Sequence, residues 1–320
     1  MRGATQQNLL VLAGTAVSGL ALASLLSGES SQVRTSRPRR AIAPRRDRAE
    51  TVAAARKLNR AAGTLAASVL ADSSVEHYRG SFKNKAMYTP LFVSALTLAT
   101  SVHGTGDMRP VAHKARDAIY LLAAATGLVG TGFHFYNVGK KVGGFSWQNL
   151  FYGAPIGAPM AILLSGLLGF CSERVRESDR SRPQIFGLPA GRTIAAVAGA
   201  GLLGTAGEAG LLHFRGAYHD PFMVVPVTLP PIGAALLMSA AAGRRGKSHR
   251  LTRWWMWLLA VMGVAGVGFH AYGVSRNMGG WRNWSQNVLN GPPLPAPPSF
   301  AGLALAGLAA LGLMKEHPDA

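Results

Sequence analysis

Four histidines stand at the ends of apolar runs: His77, His134, His213 and His270. An imidazole titrates near neutral pH, ligates metals and hydrogen-bonds small redox molecules. Their contexts are of two kinds. EHYRG (76–80) is matched by LHFRG (212–216), and GFHFY (132–136) by GFHAY (268–272). His213 follows His77 by 136 residues, and His270 follows His134 by the same 136. One offset shared by two different sub-motifs implies an internal duplication.

Each half also repeats an acid five residues before its first histidine, Asp72 before His77 and Glu208 before His213. Five residues turn a helix by about 140°, so each acid faces away from its own histidine. It is left to reach a neighbouring helix, or an arginine on its own face, Arg79 or Arg215. An acid inside an apolar run is costly in lipid and belongs at the bundle interior or beside a cavity. The candidate site is therefore the layer of His77, His134, His213 and His270, with Asp72, Glu208, Arg79 and Arg215 as its supporting shell.

Three chemistries fit this layer. Two imidazoles on adjacent helices can ligate a b-type haem axially. Three or four can hold copper or another soft-to-borderline metal, with His77 and His213 the first candidates. A histidine with a carboxylate can hydrogen-bond a quinone and pass protons. The plain alternative is that these residues only fix helix packing, since duplication copies structural residues as faithfully as functional ones. Tyr78, Tyr136, Tyr218, Tyr272, Trp147, Trp281 and Trp284 lie beside the layer and read as an interfacial aromatic belt.

The elements that must position the layer are membrane helices. Charged residues are 15% of the chain, against about 25% in an ordinary globular protein. Stretches 118–133 and 193–207 carry no charge at all. Polar connectors dilute the mean hydropathy to +0.18. Eight apolar segments come in four pairs. First members span about 61–77, 117–136, 192–213 and 253–272, and second members about 90–104, 154–171, 224–242 and 298–314. The expected fold is all-α: a polytopic integral membrane bundle of two tandem pseudo-symmetric four-helix repeats plus an N-terminal helix. Residues 1–27 read as a membrane helix or signal anchor and 28–60 as a basic cytoplasmic linker. The repeats span 61–171 and 192–314, joined by a basic connector at 172–191 and followed by a tail at 315–320.

The repeat relation extends past the histidines. Gly127, Gly130 and Gly132 map onto Gly263, Gly266 and Gly268 at offset 136, and from Gln148 and Gln286 onward the offset is 138. An insertion near Trp281–Trp284 accounts for the change. The Gly-x-x-Gly-x-Gly runs follow no strand and lack a dinucleotide spacing, so they read as helix-packing surfaces. Second-member helices begin with prolines. Pro230 and Pro231 fall deeper and are expected to kink or unwind their helix.

The net charge of +19 does not point to nucleic acid, because the basic residues cluster in connectors. Loops before the first members, with the C-terminal tail, hold 24 Lys and Arg, and loops after the histidines hold 8. The richer side is expected to be cytoplasmic and the histidines outer, or periplasmic. The basic 28–60 stretch suits anionic lipid headgroups. His103, His113 and His249 lie in polar loops on the opposite face and read as unrelated by the repeat, which disfavours an electron wire across the membrane. With Cys171 alone, a disulfide framework, a c-type haem and a Cys-ligated zinc are excluded. No Ser/His/Asp triad, P-loop or HExxH is present. The reading is a membrane component of a redox assembly with an outer-leaflet His/carboxylate site. The alternatives are an anchor for an exported partner protein and a small-solute transporter, the latter disfavoured by apolar midplane sections.

Overall fold

The computed structural model describes residues 45–178, 182–243 and 249–317. The expected helix at 1–27, the linker up to residue 44 and the last three residues of the tail lie outside the described residues. Helix α1 runs Arg45–Arg79, so it begins within the stretch expected as linker, well before its apolar section. Then come α2 (Thr89–Gly106), α3 (Lys114–Gly139), the short α4 (Trp147–Tyr152) and α5 (Gly157–Glu177). A two-residue hairpin, β1 (Gln184–Ile185) with β2 (Leu188–Pro189), sits in the connector. The second half follows as α6 (Ala190–Arg215), α7 (Val225–Ala242), α8 (Arg250–Arg276), the short α9 (Trp284–Asn290) and α10 (Pro298–Glu316).

Helix α1 packs on α2 and α5, and α3 packs on α2 and α5. In the second half α6 packs on α7 and α10, and α8 packs on α7 and α10. The halves join where α10 lies against α1 and α5 against α6. So α1, α5, α6 and α10 are inside. The apolar window of α10 is 72% buried, whereas that of α8 is 17% buried. Helix α10 is thus the axle of the bundle and α8 turns most of its surface outward. Among the described residues six helices are long and apolar enough to cross a membrane: α3, α5, α6, α7 with its preceding turn, α8 and α10. Helices α1 and α2 fall below that threshold. Along α2, Ser94, Thr97, Thr100 and Ser101 are buried, where the residues 136 later are Pro230, Gly233, Leu236 and Leu237. The architecture is an all-α polytopic membrane bundle.

The glycine runs do pack helices. A Cβ on Gly127 would lie 2.3 Å from the Leu163 backbone nitrogen, and one on Gly263 would lie 2.7 Å from that of Ala301. Leu163 and Ala301 are themselves 138 residues apart. Gly132 and Gly268, by contrast, face open space. Pro230 and Pro231 do not unwind α7. The helix is unbroken from Val225 to Ala242 through Pro230 and Pro231. Beside the two prolines the Trp255 indole donates to the Leu229 carbonyl at 2.9 Å, tying α7 to α8. The two extra residues near Trp281–Trp284 are accommodated in a one-turn 3-10 helix, Gly280–Asn283.

Gly127→Ala should destabilise the protein by about 1–3 kcal/mol, as overpacking does, and Gly132→Ala should be near neutral. Thermal unfolding of the two variants in detergent measures the contrast; equal melting would remove the packing role.

Candidate functional site

The four histidines are spent in one way. The Nδ1 of His77 is 2.5 Å from the Met87 carbonyl oxygen, and that of His213 is 2.7 Å from the Met223 carbonyl. The Nδ1 of His270 is 2.7 Å from the Pro293 carbonyl, and His134 makes the same bond to Pro155. A carbonyl oxygen only accepts, so Nδ1 must carry the hydrogen and Nε2 keeps the lone pair. Each histidine therefore closes the loop that follows its own helix.

The loops after His77 and His213 share an uncommon backbone. Ser81 and Phe82 adopt φ of 56° and 45°, and Ala217 and Tyr218 adopt 56° and 46°. Left-handed conformations at non-glycine residues cost about 1 kcal/mol or more each. Amides hold them in place: Phe82 N–H donates to the His77 carbonyl at 3.0 Å, and Tyr218 N–H to that of His213 at 3.1 Å. The Phe82 and Tyr218 rings stand edge-on to the two imidazoles at 6.2 and 6.1 Å.

The layer resolves into pairs, one in each half: His77 is an electrostatic neighbour of His134, and His213 of His270. Three or four imidazoles around one ion do not form. Among the described residues no three of His, Cys, Asp and Glu converge as metal ligands. The expected supporting arginines also turn elsewhere. Arg79 pairs with Glu76 at 2.7 Å, and Arg215 lies over the Tyr152 ring at 5.2 Å. Asp72 and Glu208 make no ion pair with either arginine. Glu208 packs against the start of α5, where a Cβ on Gly157 would lie 2.8 Å from its Cγ. A groove of about 440 Å³ is lined by Thr64, Ala67, Ser68 and Ala71 of α1 and by Leu294, Pro295 and Pro298. The belt aromatics Tyr78, Tyr136, Tyr272, Trp147, Trp281 and Trp284 are exposed, and Cys171 is buried.

The most heavily paired charges lie at the other end of the first half. Arg116 is fully buried and donates to Asp107 and to Glu173, both at 2.8 Å. Arg176 donates to the backbone carbonyls of Asp107, Arg109 and Gly104 at 2.8, 3.0 and 2.9 Å. The His113 N–H donates to Glu173 at 2.9 Å. Next to them Tyr120 donates to Asn59 and touches Ser101. Burial alone would raise the Asp107 carboxyl, but hydrogen bonds from Arg109 and Arg116 outweigh it and hold the group well below the usual carboxylate range. Burial, then the Arg116 charge, lowers the His113 imidazole.

Sequence reasoning missed this cluster, because charges at helix ends read as solvated topology signals. The available signal was asymmetry. The positions that correspond to Arg116, Tyr120, Glu173 and Arg176 are Thr252, Met256, Leu311 and Met314. The opposite-face histidines also need correcting. His249 follows His113 by 136 residues, and the two occupy the same place, immediately before α3 and α8.

The fold is that of a multi-pass helical membrane protein, with four repeat-related histidines closing the loops at one end. Over 187 aligned residues the chain is 22% identical to a nitric oxide reductase subunit of Stutzerimonas stutzeri. The match covers 55% of this chain and 39% of that protein, so the chain spans well under two thirds of the relative's length. No family model and no solved structure matches the chain.

Removing one partner of a buried pair strands the other charge, at about 3–5 kcal/mol. Arg116→Ala should therefore lower the melting temperature far more than Arg109→Ala, whose side chain is exposed. Because the Asp107 pKa is depressed by folding, its stabilisation is complete above the unfolded value of about 3.9 and is lost as pH falls through the folded value. Wild type should lose stability below about pH 4, and Asp107→Asn should show a shallower acid limb; parallel limbs would remove the assignment.

Proposed function

We propose that the chain is an integral membrane subunit of a redox assembly, whose histidine and carboxylate layer takes a quinone through hydrogen bonds. The observation that carries this reading is the set of four repeat-related histidines whose Nδ1 atoms are held by loop carbonyls, each keeping the lone pair of Nε2. Neither Asp72 nor Glu208 is paired with Arg79 or Arg215. Acids in apolar runs without an arginine partner suit proton handling better than a packing salt bridge does. The histidines support it: with Nδ1–H held by a carbonyl, Nε2 accepts a quinol O–H when neutral and donates when protonated. The likeness to a nitric oxide reductase component supports a redox setting.

The pairs His77/His134 and His213/His270 support a second reading of the same layer, a b-type haem with two axial imidazoles. The loop-closing bonds of the histidines favour the anchor reading, in which the layer presents its loops to an exported partner. Recurrence of the glycine contacts at both offsets supports a duplicated four-helix unit. The excess of Lys and Arg at the far end supports a cytoplasmic position for that end and a periplasmic one for the histidine loops.

Purified protein should retain quinone in its organic extract, and Asp72→Asn should reduce the amount several-fold. A haem absorption band that His134→Ala abolishes would replace the quinone with haem. Absence of both, with a co-purifying exported protein, would leave the anchor. For sidedness, Lys83→Cys in intact cells should react with a membrane-impermeant maleimide, and Glu177→Cys only after lysis. The reverse pattern would invert the orientation.

A further inference from the structure

Helix α1 packs on α2, α5 and α10 and still keeps one exposed stripe. Ala53, Lys57, Arg60, Ala67 and Ala71 are exposed and Thr64 is half-buried. Steps of three and four residues stack these positions one above another on a single helix face. Between them Leu58, Ala61, Ala62 and Leu65 are fully buried.

The stripe changes character along its length. Its first part carries Lys57 and Arg60. Its second part forms one wall of the groove of about 440 Å³, and Leu294, Pro295 and Pro298 form the other. Two hydroxyls line the groove, and both are spent inside the protein. Thr64 donates to the Arg60 carbonyl at 2.9 Å. Ser68 donates to the Pro295 carbonyl and meets the Ser299 hydroxyl at 2.9 Å. The trough therefore offers methylene contacts and no free side-chain hydrogen bond. The basic pair above it is uncommitted. Arg56 donates to the Thr105 carbonyl at 2.6 Å, whereas among the described residues neither Lys57 nor Arg60 has an acid partner.

The second half lacks both features. The residues 136 positions after Lys57 and Arg60 are Thr193 and Ala196. In place of Ala67 and Pro298 stand the longer side chains of Leu203 and Met160. Basic pair and small lining occur together in one half and are replaced together in the other. Length then points to the occupant. Arg60 and Ala71 are eleven residues apart, about 16 Å along a helix, half of a hydrocarbon core about 30 Å thick. An acyl chain of one leaflet covers that span. Basic residues near a membrane surface attract anionic headgroups, and Arg grips a phosphate through two N–H groups.

We propose that the cleft between α1 and α10 is a site for one anionic phospholipid, its phosphate on Arg60 and Lys57 and an acyl chain in the groove. The lipid closes the seam at which the two halves meet. The site goes beyond the redox reading and does not depend on it.

Native mass spectrometry of the delipidated chain, with dioleoylphosphatidylglycerol or dioleoylphosphatidylcholine added, tests the site. Wild type should retain one phosphatidylglycerol about ten-fold more tightly than phosphatidylcholine, and the preference should shrink as ammonium acetate is raised. Lys57→Gln with Arg60→Gln should lose the preference and keep the melting temperature measured in detergent alone. Ala67→Leu with Pro298→Met installs the second half's residues and should lose retention of both lipids. Thr193→Lys with Ala196→Arg supplies charge without the small lining and should gain no further lipid. Equal retention of the two lipids in wild type would overturn the proposal, as would a preference that survives loss of both basic side chains. Retention unchanged by Ala67→Leu with Pro298→Met, or a second lipid gained by Thr193→Lys with Ala196→Arg, would overturn it too, because charge alone would then suffice. A long-chain quinone held in place of the lipid, removed by Ala67→Leu and kept by Asp72→Asn, would overturn it and move the quinone away from the histidine layer.

Discussion

Lipid provides no hydrophobic drive for one apolar helix to seek another, so close backbone approach must supply the packing. In this bundle it does so at Gly127 against α5 and at Gly263 against α10. The rest of the histidine end follows from those two approaches. They draw the starts of α5 and α10 up to the ends of α3 and α8, and so bring the Pro155 and Pro293 carbonyls within reach of His134 and His270. They also tighten the intervening turns. There Asn149 donates to the Val142 and Gly144 carbonyls, and Asn287 to those of Met278 and Gly280. A side chain at either glycine would push all of these groups apart at once.

The halves share this frame and differ in what fills it. In the first half a tyrosine, an asparagine and a row of hydroxyls lie between α1, α2 and α3, above a buried set of arginines and acids. In the second half leucines, methionines and small residues occupy the same places. An ion-paired interior loses much of its attraction to desolvation, whereas an apolar one does not. The second half is thus the simpler solution to packing. The first holds polarity well beyond what helix association in a membrane requires.

Much of this is legible in the sequence, because repetition is a strong signal. The offsets of 136 and 138 place the histidines, the glycine contacts and the inserted turn, and the apolar runs place the spanning helices. What is not legible depends on side chains meeting across long separations. Arg116 and Glu173 are 57 residues apart and sit at helix ends, where a charge looks solvated. Helical spacing directs Arg79 toward Asp72, but Glu76 is three residues from it, and that shorter spacing wins. The local rule for Pro230 and Pro231 is a kink or an unwound turn, and α7 stays helical through both. Helix α1 begins at Arg45, ahead of its apolar section, because α10 and α5 pack along it and tolerate its polar residues there.

The histidine-to-carbonyl bonds have a mechanical consequence. An imidazole keeps its Nδ1 hydrogen whether Nε2 is bare or protonated. A proton gained at Nε2 would leave the loop-closing bond at Nδ1 made. The collar of loops at this end is therefore built to hold its shape whatever charge its imidazoles carry.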